Sequence, residues 1–241
     1  MSYEYIEWTD EKVKRFWDYE SQFPQHYFTH QVGGNLSEFI KKYTRKNDLV
    51  LDYGAGPGFL IKHLLDKKMK VFALEFSSDS LNTIRNKYEN KEGFMGAFSA
   101  SEIEKNNIRF DVILLTEVIE HLNEDYLTRT FKDIHRFLKP EGVLFITTPN
   151  NEDLSQNMIC CPETNQLFHR WQHVRTWDVD TLNKFVNESG YTVLKLATTD
   201  FNFTSFISKL KHPYFTFKFF VRKIFKRNKL PHLFCICSLN I

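Results

Sequence analysis

The sequence predicts an α/β protein whose mostly parallel sheet is covered by helices on both faces. Three observations carry the prediction. From Leu49 onward, short apolar runs alternate with longer amphipathic ones, the signature of strands joined by helical crossovers. The apolar runs are continuous, as expected of strands buried on both faces. Three of the nine glycines fall within five residues, in VLDYGAGPG at Val50–Gly58, where the first strand turns into its helix.

Each element follows in order. Residues 1–47 read as a helical, aromatic cover carrying Trp8, Phe16, Trp17 and Phe23, broken at QVGGN before LSEFIKKY. Residues 48–241 read as one domain. LVLDY is its first strand and GFLIKHLLDKK its first helix; KVFALEF and SDSLNTIRNKY repeat the pair. GFMGAFS and FDVILLT are the third and fourth strands. DYLTRTFKDIHRFLKP is an amphipathic helix stopped by Pro140, which has no amide hydrogen to give. GVLFITT is the fifth strand, and DVDTLNKFVNESG is a helix with an Asp cap and a glycine stop. TVLKLAT and HLFCICSL are strands with no helix of the body's kind between them. That predicts an antiparallel pair closing one edge.

Composition narrows the class. At 42% hydrophobic and 26% charged, the chain is an ordinary globular one. No run approaches the roughly eighteen apolar residues of a membrane-spanning helix, and the start, MSYEYIEWTDEK, is not a secretory signal. A cytoplasmic protein is expected. Cys160–Cys161 and Cys235/Cys237 read as reduced thiols, since adjacent cysteines make poor tetrahedral ligands.

Charge is unevenly placed. All 30 acidic residues stand at or before Asp200, so residues 1–200 carry 24 basic groups and a net −6, while eight Lys or Arg crowd Lys209–Lys229. In HPYFTFKFFVRKIFKRNK, Phe217, Phe220, Val221, Ile224 and Phe225 recur at helical spacing. The stretch 205–230 reads as a basic amphipathic insertion. Three readings stay open: association with a membrane surface through 213–229, an RNA-facing patch, or a lid on the core.

The glycine turn has a chemical reading. Gly54 and Gly56 let backbone approach a ligand where a Cβ would clash, and Gly58 lets the next helix pack close to the strand. Asp52, two residues before the first glycine, sets a carboxylate where a pyrophosphate would be repelled. Glu75 ends the second strand, where an acid accepts both ribose hydroxyls. A ribose joined to a cationic, phosphate-free group describes S-adenosylmethionine (SAM) better than NAD, and the glycine spacing is not G-x-G-x-x-G.

Taken together, VLDYGAGPG, ALEFS, FDVILLTEVIEHL and FLKPEGVLFITTPN resemble the class I SAM-dependent methyltransferases from Leu49 to Gly190. Within them the chain looks like the methyltransferase-23 and quinone O-methyltransferase group, with partial resemblance to the small-RNA 3′-end 2′-O-methyltransferases. The resemblance implies a Rossmann-like seven-stranded sheet of order 3-2-1-4-5-7-6, strand 7 antiparallel, with helices on both faces. It implies SAM as cofactor, with Asp52, Gly54, Ala55 and Gly56 around the methionine part and Glu75 with Phe76 at the ribose. Thr116 and Glu117 would line the cleft. Ser99 stands where the family often has an acid near the adenine, and Glu102 lies further along. Tyr27, Phe28 and His30, in the segment before the first strand, would close over the cofactor or only pack the helices on the sheet.

A second constellation follows the fourth strand. In TEVIEHL, Glu117, Glu120 and His121 share one face if the turn is helical, and His169 and His173 in HRWQHVRTW are four apart, also one face of a helix. Three readings stay open. Glu117, Glu120, His121 and His169 ligate Mg²⁺ or Mn²⁺; His173 or His121 is the general base; or the residues brace a turn and a substrate lid. The expected function is SAM-dependent methyl transfer to a small-molecule acceptor, lipid- or saccharide-linked acceptors included, at a hydroxyl. The alternative is metal-assisted RNA 2′-O-methylation, which the acidic body opposes. A binding protein that has lost catalysis is opposed by Asp52, Gly54, Gly56 and Glu75.

Overall fold

The computed structural model describes residues 3–203 and 230–240. In chain order the elements begin with β1 (Glu4–Tyr5), α1 (Asp10–Glu20), α2 (Phe28–Ile40), β2 (Leu49–Tyr53), α3 (Phe59–Asp66) and β3 (Lys70–Leu74). There follow α4 (Ser78–Tyr88), β4 (Phe94–Phe98), α5 (Ala100–Lys105), β5 (Phe110–Thr116), α6 (Glu124–Phe137) and β6 (Leu138–Pro149). The last are β7 (Met158–Cys160), β8 (Gln166–His169), α7 (Val179–Glu188), β9 (Tyr191–Thr199) and β10 (His232–Leu239).

The central sheet has seven strands in the order β4-β3-β2-β5-β6-β10-β9. Numbered within the sheet, this is the expected 3-2-1-4-5-7-6. Its strands pair in parallel except β10, which runs antiparallel to both β6 and β9. Continuous apolar strands arise because each side of the sheet has its own core. Leu51 and Tyr53 of β2 and Ile113 and Leu115 of β5 face one cluster, with α6 and α7. Val50, Val112 and Leu114 face the other, with α2, α3 and α4. Chain order reverses between β2 and β5, so the crevice beyond their carboxyl ends is the place for a ligand.

Two local expectations are corrected. QVGGN does not break the N-terminal helix, because Gly33 and Gly34 lie inside α2. A Cβ at Gly33 would stand 2.5 Å from the His63 ring on α3, so the missing side chain lets two helices touch. The helix before Pro140 ends earlier, at Phe137, and Pro140 falls between the β6 residues Leu138 and Val143 that pair with β5. Ser99 also caps a short helix, α5, which carries Glu102 in its first turn.

A small second sheet was also unforeseen. β7 and β8 form an antiparallel pair, and β1 adds to β8 in parallel. The Asp cap before α7 is present, as a reciprocal box between Asp178 and Thr181. Among the described residues no helix is long and apolar enough to cross a membrane. The basic amphipathic insertion falls almost wholly on residues 204–229, and its membrane, RNA and lid readings lie outside the described residues.

Candidate cofactor cleft and carboxylate–imidazole cluster

The glycine turn after β2 is built as the motif demands. Gly54 and Gly56 sit at φ 76 and 53, left-handed values that disfavour a side chain. A Cβ on Gly54 would lie 3.0 Å from Val118, and one on Gly56 3.4 Å from the Tyr27 ring. The Gly54 and Ala55 amides donate to Leu74 O at 2.9 and 3.1 Å, tying the turn to the end of β3. Glu75 completes the tie. Its carboxylate accepts from Gly56 N at 2.7 Å, Phe76 N at 2.8 Å and Ser77 N at 3.3 Å. Phe76 is 60% exposed, leaving its ring face open to stack on a ligand. Ser99, at the end of β4, accepts from Glu102 N while its own amide donates to the Glu102 carboxylate, so both groups cap α5.

Asp52 is buried, and its Oδ2 has no hydrogen-bond partner. Burial, reinforced by the Glu75 charge, pushes its carboxyl from 3.8 up to about 7. A buried acid without a cation is a cost to the ligand-free fold and an attraction for a positively charged ligand. Because the folded pKa is raised, the folded state binds the proton more tightly, and stability falls as pH climbs through that window. Asp52→Asn should therefore stabilise the SAM-free protein. The gain should grow from low pH and level off above neutrality, at about 4 kcal/mol at most, while the melting shift produced by SAM shrinks. Thermal unfolding at pH 5 and pH 8, with and without SAM, checks this; an equal gain at both pH values contradicts it.

The second cluster stands past the end of β5. Glu117 is not on a helical turn. It sits at φ 50 in a tight turn, its amide held by Thr147 O at 3.0 Å and Thr147 Oγ1 at 3.3 Å. Glu120 is buried; Thr148 Oγ1 donates to its Oε2 at 3.0 Å, and its Oε1 stands 3.9 Å from His121 Nε2. Nor are His169 and His173 on a helix. His169 ends β8, and a turn through Gln172 at φ 60 folds the chain back. Their rings stack at 4.7 Å with planes 21° apart, whereas His121 and His173 lie 4.8 Å apart with planes at 64°.

Two sets of ligand-type atoms, each within 4.8 Å, result: Glu120, His121 and His173, and Glu152, His169 and His173. The expected metal set is thus altered. His169 groups with Glu152, not with Glu120 and His121, and Glu117 stands outside both sets, although its charge is felt at Glu120. Among the described residues no Lys or Arg pairs with Glu117, Glu120 or Glu152. Burial pushes the Glu117 carboxyl up to about 8 and Glu120 well above its usual range, and pushes His121 well down. Glu117 Oε1, Glu120 Oε1, His121 Nδ1 and His169 Nε2 are buried without partners. This neutralised, under-satisfied donor set fits a divalent cation.

Sequence reasoning missed three contributors. Glu152 is the first of the two acids in TPNNED, Thr148–Asp153. Trp17 and Gln172 are the others: Trp17 Nε1 donates to Gln172 Oε1 at 3.1 Å, and Gln172 Nε2 donates to His121 O at 3.2 Å. The N-terminal α1 is thereby tied to the cluster. Tyr27 does cover the glycine turn. His30 packs on Phe59, and Phe28 packs on Phe201 and His232.

A profile of the methyltransferase-domain family matches residues 25–196. The chain belongs to that family and is a class I SAM-dependent methyltransferase. The N-terminal Xaa-Pro-Lys N-methyltransferase 1-B of Xenopus laevis is 25% identical over 167 residues, 67% of this chain and 70% of that protein. A ubiquinone biosynthesis O-methyltransferase of Pelagibacter ubique (strain HTCC1062) is 30% identical over 107 residues, 44% of this chain and 43% of that one. That match spans less than half of the relative's length. The 1,6-didemethyltoxoflavin-N1-methyltransferase of Burkholderia thailandensis superposes with a TM-score of 0.65 at 13% identity, covering 98% of this chain and 92% of that one.

Proposed function

We propose that this methyltransferase acts on a hydroxyl of a small-molecule acceptor, and that Glu120, His121 and His173 hold a divalent cation beside that hydroxyl. The observation that carries the reading is the buried cluster itself: carboxyls and imidazoles past the end of β5, with no Lys or Arg among the described residues paired to them. A neutral amine has less use for such a cluster, since it already carries the lone pair that attacks. A hydroxyl must lose its proton. The similarity to an enzyme named for ubiquinone O-methylation points the same way.

When bound, a divalent cation lowers the pKa of a coordinated hydroxyl and orients it. The chain's own groups do the rest. The glycine turn, Asp52 and Glu75 hold the cofactor so that its sulfonium methyl faces the acceptor at near-contact distance. The oxygen–carbon bond forms as the sulfur–carbon bond breaks, and S-adenosylhomocysteine leaves. Glu117 Oε1, buried and unpartnered beside the cluster, takes the proton when its carboxyl is ionised, a form that burial holds to the minority until the pH nears 8.

Methyl-labelled SAM tests the reading, offered with a panel of phenols, catechols and sugars, an amine set and single-stranded RNA. Stripped protein and protein reloaded with Mn²⁺ are compared. The expected result is label on a hydroxylated small molecule, raised by Mn²⁺. Label on amines alone, or on RNA ribose alone, overturns the acceptor assignment; equal rates with and without Mn²⁺ overturn the cation.

A further inference from the structure

Glu152 has no role in the reading above, yet it touches both later histidines. It is carried by the turn after β6, where Asn151 sits at φ 50 and its amide donates to Trp177 O at 2.7 Å. Its Oε2 is 2.5 Å from His173 Nδ1, and its Oε1 is 3.5 Å from His169 Nε2. His169 is buried, and its Nδ1 accepts the amides of Trp171 and His173 at 3.3 Å each. The proton of a neutral His169 therefore sits on Nε2, facing Glu152.

Ring geometry decides what this set can do. A cation bound by an imidazole nitrogen lies in that ring's plane. His169 and His173 are stacked with planes only 21° apart, and two stacked, near-parallel rings share no such point at bonding distance. The His121 and His173 planes cross at 64°, so those two rings can converge on one ion. The two sets are unequal: one fits a cation, and the other fits hydrogen bonds.

We propose that Glu152, braced by His169, is a positioning residue that fixes His173 in the tautomer protonated at Nδ1, leaving Nε2 as the lone pair offered to the Glu120–His121 side. A carboxylate behind a ligating histidine fixes the ring and raises its basicity. Burial alone would raise the Glu152 carboxyl, but the His173 hydrogen bond holds it below its ordinary range, as an acceptor for the His173 N–H requires. The geometry stands on its own; its consequence for cation binding rests on the proposed function.

The test uses the full chain, ¹⁵N-labelled at histidine and free of metal. Imidazole nitrogen shifts report the tautomer, with His173→Asn used for assignment. Wild type is expected to show His173 protonated at Nδ1. Glu152→Gln, whose carbonyl still accepts that proton, is expected to keep the tautomer, and Glu152→Leu to lose it. Calorimetry with Mn²⁺ is expected to show affinity reduced about 10- to 100-fold in Glu152→Leu, with SAM affinity unchanged as the check on folding. A wild-type His173 protonated at Nε2 overturns the assignment, as does a Glu152→Leu tautomer identical to wild type. If the wild type takes up no Mn²⁺ but the leucine variant still switches tautomer, the positioning role stands and the cation reading falls.

Discussion

Replacing Glu75 by alanine is expected to raise the SAM dissociation constant by about two orders of magnitude or more while leaving the chain folded. The reason is that one carboxylate serves two structures at once. It gathers the Gly56, Phe76 and Ser77 amides at 2.7, 2.8 and 3.3 Å, pinning the glycine turn to the end of β3. Its remaining lone pairs would be the acceptors that a ribose requires. Alanine removes the acceptor and releases the turn. Each charge-assisted hydrogen bond is worth about 1.5–3 kcal/mol, so losing two already gives a hundredfold effect. Glu75→Gln should fall between, because it keeps one acceptor oxygen without the charge. Titration calorimetry with SAM and with S-adenosylhomocysteine measures the loss. A change of less than about tenfold in the alanine variant would remove the ribose role.

The glycine turn was legible because its conformation is set locally. Asp52, Gly54 and Gly56 lie within five residues, and a turn of that kind has few conformations. Apolar runs of continuous type report two-sided burial directly, and the resemblance of the motifs supplied the strand order. The cluster was legible only in part, because its members come from three separated segments. TEVIEHL announced Glu120 and His121. The spacing of His169 and His173 suggested one helical face; they meet instead because the chain reverses at Gln172 and His169 Nδ1 accepts the His173 amide. Glu152 gave no signal, since an acid in a polar loop ordinarily faces water. The long-range ties of Asn150 to Pro231 and of Asn151 to Trp177 bring it inward. QVGGN misled for a related reason: glycine marks a breaker and a close approach alike, and only the position of His63 tells them apart.

His173→Ala is expected to leave SAM affinity within about twofold of wild type and to slow methyl transfer by about 10²- to 10⁴-fold. The separation follows from placement. The groups proposed to hold the cofactor, Asp52, the glycine turn and Glu75, sit at the ends of β2 and β3, whereas His173 is carried by the segment after β8. His173 is also the one residue common to both ligand sets. Its loss removes a converging donor from Glu120 and His121, and it strips Glu152 of its 2.5 Å partner, leaving a half-buried carboxylate facing the site. That unpaired charge adds to the damage. His169→Ala should be milder, because His169 acts on the cluster only through Glu152 and through the backbone it holds in register. The order His173 before His169, read in rate at saturating SAM, separates a working cluster from a merely structural one. A purely structural pair would lose stability and SAM binding together, and the two alanine variants would then fall in parallel. Equal rate losses accompanied by weakened SAM binding would therefore dismiss the cluster as the seat of acceptor activation.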